Sequence, residues 1–498
     1  MLKEITIVGG GSAAWMTAAF FAKNLKQYKL TVIDKETPSP IGVGEGTLLN
    51  FIDFMFQCGL EFKDWFPDVD ATLKSGILFP DWREEGTKVW HPFPNINDYR
   101  VDEEGNSRFD VWGARSSGSV PIEFRSFCLP EYEAQVLHNK IYTGQKTNIT
   151  VNVNALKLAS RLREYVKDRV TYIESDVVHV HRNEEGNVTS LSLRNGNEHS
   201  SDFFIDCTGF KSVLKEPKRV DLIKSGRLFV NTAVAGTVPY ENESAEMTPF
   251  AICPAVDQGW VWKIPTQGRI GSGLVFNRDI TAVEDAKVKF SNYWNGRVNP
   301  DDLKVIDWTP YYENSIWKGN VCSIGLSAGF MEPLESTGIG GTIESIKALA
   351  ASLQERFYDY KTIHEYNTNM HLFFEDVIDF IAMHYSEPKH DSAFWNWVRE
   401  SYAKTDRQLF YEDFMKDPDK GIDTTMFNQD YVYKAKVWSP LQWILWLAQI
   451  GYPLERKGFS SEYVDARIHE VQAHERKLFN ESKPHRDFIK SLNKGQFL

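Results

Sequence analysis

Apolar and polar positions follow different periods along the chain. Ile5 to Val8 is a short uninterrupted apolar run, followed by Gly9-Gly10-Gly11 and then Ser12 to Tyr28, where alanine and other strong helix formers recur at helical spacing. A second apolar run, Leu30 to Ile33, ends at Asp34. Strand, glycine turn, helix, strand and acid in that order predict the opening of a Rossmann-type α/β unit. Between about 51 and 142 the pattern becomes irregular and aromatic-rich, as an insertion would. Ala155 to Arg169 reads as an amphipathic helix with Leu156, Leu158, Leu162 and Val166 on its apolar side. Val170 to His181 and Val188 to Leu193 alternate around Asn183-Glu184-Glu185-Gly186-Asn187, which predicts a hairpin. Phe203 to Ile205 is a buried strand closing on Asp206-Cys207-Thr208-Gly209, and Val321 to Ile324 is another running into Gly325. Helical spacing takes over beyond Gly338, with a helix over Thr342 to Arg356 and more helices up to Leu492. The expected organisation is an α/β core over 1–355 and a mainly helical region over 356–498.

Composition narrows the class. The 498 residues include 42% hydrophobic and 25% charged side chains, ordinary globular usage that argues against disorder, collagen and coiled coil. A formal net charge of −12 argues against a nucleic-acid binder. Cys58, Cys128, Cys207, Cys253 and Cys322 are scattered without CxxC spacing, so neither a disulfide framework nor a metal site is expected and a reducing compartment is the simplest reading. The start of the chain lacks the apolar core of a signal peptide, and the most apolar late stretch, Trp443 to Leu454, is interrupted by Gln449, Gly451 and Pro453. A soluble, cytoplasmic protein away from membranes follows as an expectation. The aromatic share is 13%, consistent with a large core, a flat apolar binding site, or surface that would favour a homo-oligomer.

Several segments carry candidate chemistry. In Gly9-x-Gly11-x-x-Ala14 the glycines let backbone approach a pyrophosphate, which would rest on the helix N-terminus at Ser12, Ala13 and Ala14. Asp34 stands where an acid would accept a ribose hydroxyl. The later strand-to-glycine junctions, ending at Gly209 and Gly325, favour FAD over NAD, and with one nucleotide fingerprint no separate NADH site is expected. Phe330-Met-Glu-Pro-Leu-Glu-Ser-Thr-Gly338 places Glu332 and Glu335 just before a helix, whose free N–H groups at Thr337 and Gly338 suit a halide or oxyanion. Spacing alone equally fits a helix capped by Ser336 or Thr337 with solvated glutamates nearby. In Gly259-Trp260-Val-Trp262-Lys-Ile-Pro265 both indoles fall on one strand face, as packing or as a wall that excludes water. Lys74 precedes Ile77-Leu78-Phe79 and, taken alone, reads as a snorkelling surface lysine; if buried, its ammonium would be desolvated.

Taken together, GxGxxA, WxWxIP at 260–265 and FxxPxxSxG at Phe330, Pro333, Ser336 and Gly338 resemble the flavin-dependent halogenases of the tryptophan-halogenase type. The resemblance spans about residues 1–350, and Trp438 to Pro453 is similar to a late segment of the family. It implies a flavoprotein monooxygenase-like FAD fold that halogenates an indole, phenol or pyrrole with reduced FAD, dioxygen and chloride, bromide or iodide. In the implied reaction a flavin hydroperoxide yields hypohalous acid, which travels to Lys74. On this resemblance Lys74 and Glu335 are catalytic, and Thr337 and Gly338 hold the halide. Gly325, Gly338 and Ile339 join the glycine turn around FAD, Trp260 and Trp262 screen the flavin, and His91 and Phe93 face the substrate. A separate reductase would supply reduced flavin. Gly340-Gly341-Thr342 departs from the bulkier residues that often follow STGI in the family. The competing expectations are an FAD-dependent aromatic hydroxylase and a non-catalytic flavin-binding protein, although WxWxIP separates the halogenases from hydroxylating relatives.

Overall fold

The structure, a computed structural model, describes residues 2–35, 42–93, 101, 106–114, 124–129, 131–142, 148–355, 357–417, 437–454, 456 and 458–495. Two compact units interleave along the chain. One comprises Met1–Ala71, Val151–Asn231 and Ile306–Glu375; the other comprises Thr72–Thr150, Thr232–Val305 and Asp376–Leu498. The sequence boundary expected near residue 355 falls between the helices Thr337–Ser352 and Tyr360–His384. The described chain beyond it is mostly helical, while the compact units cut across it.

The first unit is built on a sheet with strand order Trp317–Lys318, Val321–Ser323, Phe203–Asp206, Glu4–Val8, Lys29–Asp34, Thr171–Glu174. Glu4–Val8 pairs in parallel with both Phe203–Asp206 and Lys29–Asp34, with Ile5 opposite Phe203 and Leu30. Strand order therefore reverses at Glu4–Val8, and its carboxyl end is the point where open α/β sheets bind ligands. The helix Ser12–Asn24 makes the crossover; eight of its residues are buried, so its apolar character is core rather than surface stripe.

The alternating run 170–181 forms two strands rather than one. Thr171–Glu174 joins the parallel sheet, and Val177–Arg182 starts a separate antiparallel hairpin with Val188–Leu193. The break sits at Ser175 and Asp176, where Ser175 N donates to Asp34 O at 2.9 Å and Asp176 O accepts from Arg194 N at 2.9 Å. Glu174, Ser175 and Asp176 are three polar residues in a row, so the alternation is interrupted at this break. Val8, Ile33, Phe204, Leu191 and Leu214 make one core of this unit.

The second unit carries a sheet in which Thr232–Val238, Arg269–Phe276, Gly259–Thr266, Ala251–Ile252, Gly76–Pro80 and Lys88–Pro92 are successive neighbours. Val234, Val261, Leu274 and Phe276 pack with Phe290 and Trp294 from the region of the helix Val283–Tyr293. A buried ion pair fastens the helical part: Asp376, fully buried, binds Arg407 and accepts from Val437 N at 2.7 Å and Trp438 N at 3.1 Å. Among the described residues no helix is long and apolar enough to cross a membrane, and no His, Cys, Asp and Glu cluster could hold a metal ion. The five cysteines are free and buried.

Removing one partner of such a pair leaves an uncompensated buried charge. Asp376→Asn is therefore expected to cost about 3–5 kcal/mol of stability, read as a lower urea midpoint; an unchanged midpoint would show that the pair does not fasten this region.

Candidate active site

In the first unit the glycine turn is shaped by what surrounds it. Gly9 has φ 127°, and a Cβ there would lie 2.3 Å from the carbonyl oxygen of Cys207. A Cβ on Gly10 would lie 1.7 Å from Asp34 Oδ2, so the predicted ribose acid lies directly against the turn. Gly11 precedes the helix without a side-chain cap, and nothing lies within 4 Å of where its Cβ would be. The helix start at Ser12 and Ala13 thus lacks a side-chain cap, while Ala14 N donates to Gly11 O at 3.1 Å, and the positive end of the helix lies there. Burial pushes the Asp34 carboxyl up to about 6, against the pull of its own backbone contact and of Arg163. Arg163 in turn lies over the Tyr172 ring at 4.4 Å.

The later glycine junctions converge on the same helix. Gly325 has φ 68°, and a Cβ there would come within 2.7 Å of the Ala13 Cβ. Thr342 Oγ1 stands 3.6 Å from that position and donates to Gly338 O at 2.9 Å. Asp206, fully buried, ties the junctions together: it accepts from Thr208 N at 2.9 Å, Thr208 Oγ1 at 2.6 Å, Leu214 N at 2.8 Å and Ser327 Oγ at 3.1 Å. The structure therefore brings Gly9, Gly11, Ala13, Gly325 and the Gly338 turn together in one unit. Gly9 and Gly325 let the protein's own segments approach closely, while Gly11 and Gly338, with no atom within 4 Å of where a Cβ would stand, leave room that fits a dinucleotide cofactor such as FAD.

The segment before the helix Thr337–Ser352 departs from a capped helix start. Glu335 (φ 63°) and Ser336 (φ 58°) are consecutive left-handed residues, and neither is glycine. Each such residue costs on the order of 1–3 kcal/mol and persists where surrounding structure imposes it. Ser336 occupies the N-cap without a side-chain cap hydrogen bond. The N–H groups of Thr337, Gly338 and Ile339 thus lack a capping side chain, and space is open beyond Gly338. The glutamates are not solvated: Glu332 and Glu335 are each 2% exposed. Gly340 and Gly341 are small for a local reason, because a Cβ would meet Leu48 Cδ1 at 2.6 Å and the Phe373 ring at 2.9 Å.

Sequence reading missed Glu45, in Gly44-Glu45-Gly46 of the strand paired with Asn152–Asn154. Burial alone pushes its carboxyl up to about 7. An acid between glycines before Thr47 was the available signal.

In the second unit Lys74 is fully buried, which overturns its reading as a surface lysine. It ends the strand Thr72–Lys74, and its Nζ lies 5.3 Å from the centroid of Phe93. Thr72 Oγ1 donates to Pro265 O at 2.6 Å, and Ser75 Oγ donates to Pro249 O at 2.7 Å. His91, opposite Ile77, is buried with its ring 5.3 Å from Phe380 and 5.7 Å from Trp438. Lys74 thus lies beside Phe93, and His91 lies in the same unit among Phe380 and Trp438. Trp260 and Trp262 do lie on one strand face, with ring centroids 6.4 Å apart. Both are buried: Trp260 Nε1 donates to Tyr385 Oη at 3.0 Å, and Trp262 fills the space above Gly273, where a Cβ would meet its ring at 2.2 Å.

The close-approach glycines at the strand reversal of the first unit, and separately the buried lysine beside Phe93 in the second, fit the class of flavin-dependent halogenases. The tryptophan halogenase family matches residues 4–463, and the chain belongs to it. Tryptophan 6-halogenase ThaL of Streptomyces albogriseolus is 30% identical over 429 residues, covering 80% of this chain and 79% of that protein. Tryptophan 7-halogenase RebH of Lentzea aerocolonigenes is 29% identical over 422 residues, with 80% and 79% covered. BrvH, a flavin-dependent halogenase from Brevundimonas sp. BAL3, shares the fold with a TM-score of 0.86 and 25% identity over 99% of each chain. The protein is thus an oxidoreductase that halogenates an aromatic substrate using reduced FAD, dioxygen and halide, with a separate flavin reductase as partner. Neither the hydroxylase nor the non-catalytic expectation is favoured.

The Glu45 carboxyl has a folded pKa above its unfolded one, so its contribution to stability is present below pH 4.5 and lost as pH rises through about 7. Glu45→Gln removes that loss. The flavin-free variant is expected to gain roughly 1–3 kcal/mol over wild type at pH 8 and little at pH 4.5, measured by thermal unfolding at both pH values.

Proposed function

We propose that this chain halogenates an indole-, phenol- or pyrrole-type small molecule, with Lys74 directing the halogen and Glu335 managing the proton. The observation that carries the reading is the burial of Lys74 beside Phe93 and in one unit with His91. A cation is placed among flat apolar walls only at a cost, and aromatic substrates suit those walls. His91 and Phe93 are assigned to the substrate side.

Gly9, Gly11, Ser12, Ala13, Ala14, Asp34, Gly325, Gly338 and Ile339 would hold reduced FAD, which would supply the electrons that activate dioxygen. The N–H groups of Thr337 and Gly338 hold the halide. Backbone donors at a helix end select for negative charge rather than for size, so chloride, bromide and iodide all fall within their chemistry. Trp260 and Trp262 contribute bulk that excludes water. The Lys74 ammonium hydrogen-bonds hypohalous acid, or its neutral amine attacks the halogen of that acid to give a haloamine with release of water, and either way the halogen is held against one ring carbon. Positioning of this kind is worth several kcal/mol of barrier when the contact is tight. The carboxylate of Glu335 accepts the proton lost from the ring.

The test mixes protein, FAD, a flavin reductase, NADH, oxygen and bromide with a panel of indoles, phenols and pyrroles, and reads products by mass spectrometry. A bromine isotope doublet is expected in wild type and its loss in Lys74→Ala, with flavin binding and trapped hypobromite retained. Product in Lys74→Ala at wild-type yield removes the lysine from the reaction. Products heavier by one oxygen and lacking bromine would instead show hydroxylation. Glu335→Gln is expected to lower turnover about 10²-fold or more with FAD affinity within a few-fold of wild type; unchanged turnover would leave Glu335 a structural residue of the helix start.

A further inference from the structure

The chain on either side of Lys74 is anchored at three residues, Thr72, Leu73 and Ser75, and one anchor comes from the far end of the sequence. Thr72 and Ser75 use their own hydroxyls, on Pro265 O and Pro249 O. Leu73 has no polar side chain, and its N–H donates to Nε2 of His485 at 3.2 Å. His485 opens the helix His485–Asn493 and is 1% exposed.

The protonation of this imidazole follows from its partners. Nδ1 lies 2.9 Å from the carbonyl oxygen of Met247, which can only accept, so Nδ1 carries the hydrogen. Nε2 is then bare and accepts from Leu73. Burial holds the ring neutral, with its pKa pushed down to about 4. The ring is itself fixed from behind. His485 N donates to Asn139 O at 2.9 Å, Lys483–Pro484 pairs with Lys140–Ile141, and Arg486 Nε reaches Glu243 Oε2 at 2.5 Å.

We propose that His485 is a positioning residue for Lys74: its neutral imidazole fixes the amide of Leu73 and thereby the direction in which the neighbouring ammonium presents the halogen. The proposal rests on Lys74 as the directing group. His485 touches neither substrate nor cofactor in this assignment and acts through the strand. Misplacement of a reacting group by about 1 Å costs on the order of 10²-fold, so loss of one of the anchors is expected to appear in coupling rather than in flavin chemistry.

Two substitutions separate positioning from mere packing. Gln places an acceptor at the reach of Nε2, whereas Asn reaches only as far as Nδ1. Hydrogen exchange at the Leu73 amide reads the anchor; aromatic product per reduced flavin oxidised, with escaped hypobromite trapped, reads its consequence. His485→Asn is expected to raise exchange at Leu73 about tenfold or more and lower product per flavin about tenfold, with total oxidant unchanged. His485→Gln should remain within about twofold of wild type on both readouts. Unchanged Leu73 exchange in the Asn variant overturns the proposal, as does retained coupling, or Gln being as impaired as Asn.

If the Asn variant does not fold, nitrogen-15 shifts of the His485 ring in the wild-type protein decide the same point: hydrogen on Nδ1 is expected, and hydrogen on Nε2 refutes the anchor. Lys74→Ala, assayed alongside, separates the two readings. Wild-type product from that variant ends the role of the lysine, while the Leu73 exchange data still report on the anchor.

Discussion

Burying the ammonium of Lys74 is the constraint on which much of the second unit turns. A cation taken out of water is costly, and a long flexible side chain gains nothing from that cost unless its base is rigid. The fold meets this with main-chain and hydroxyl hydrogen bonds rather than with bulk. Strand ends at Pro249 and Pro265 offer carbonyls to Ser75 and Thr72, and the strand containing Trp260 and Trp262 thereby supports the lysine as well as filling the core. The tryptophans fix that strand by packing, Trp260 through Tyr385 and Trp262 over Gly273.

The first unit follows a different logic. Its distinctive feature is in the backbone: the helices Ser12–Asn24 and Thr337–Ser352 each start without a side-chain cap for their N–H donors. Leaving these donors without a capping side chain forgoes stability, of order 1 kcal/mol per missing cap. At the second helix the left-handed pair Glu335 and Ser336 adds strain. Both costs are understandable where an anion or a cofactor is to be received, because a satisfied helix end has little left to offer.

How much of this could be read from the sequence varied with the range of the interaction. The opening strand, turn, helix and acid were legible because local pattern and local geometry coincide there, from Ile5 to Asp34. Glu335 and Thr337 could be singled out by motif, but their burial and backbone conformation could not, since spacing alone equally describes a solvated, capped helix start. Lys74 was illegible as a buried group for the same reason: what buries and anchors it comes from Pro249, Pro265 and a histidine more than four hundred positions away. The split of 170–181 into two strands was marked by the polar run Glu174-Ser175-Asp176, which reading 170–181 as one strand passes over. Glu45 escaped notice because nothing in an isolated glycine-flanked acid reports how dry its surroundings are.

The pair Gly340-Gly341 shows what such packing means for the family's divergence. Leu48 and Phe373 occupy the space that a side chain at Gly340 or Gly341 would need. These positions, far apart in sequence, can change only in concert. A larger residue at either glycine would require a smaller neighbour first, so the start of this helix carries the history of its packing partners as well as the demands of its own backbone.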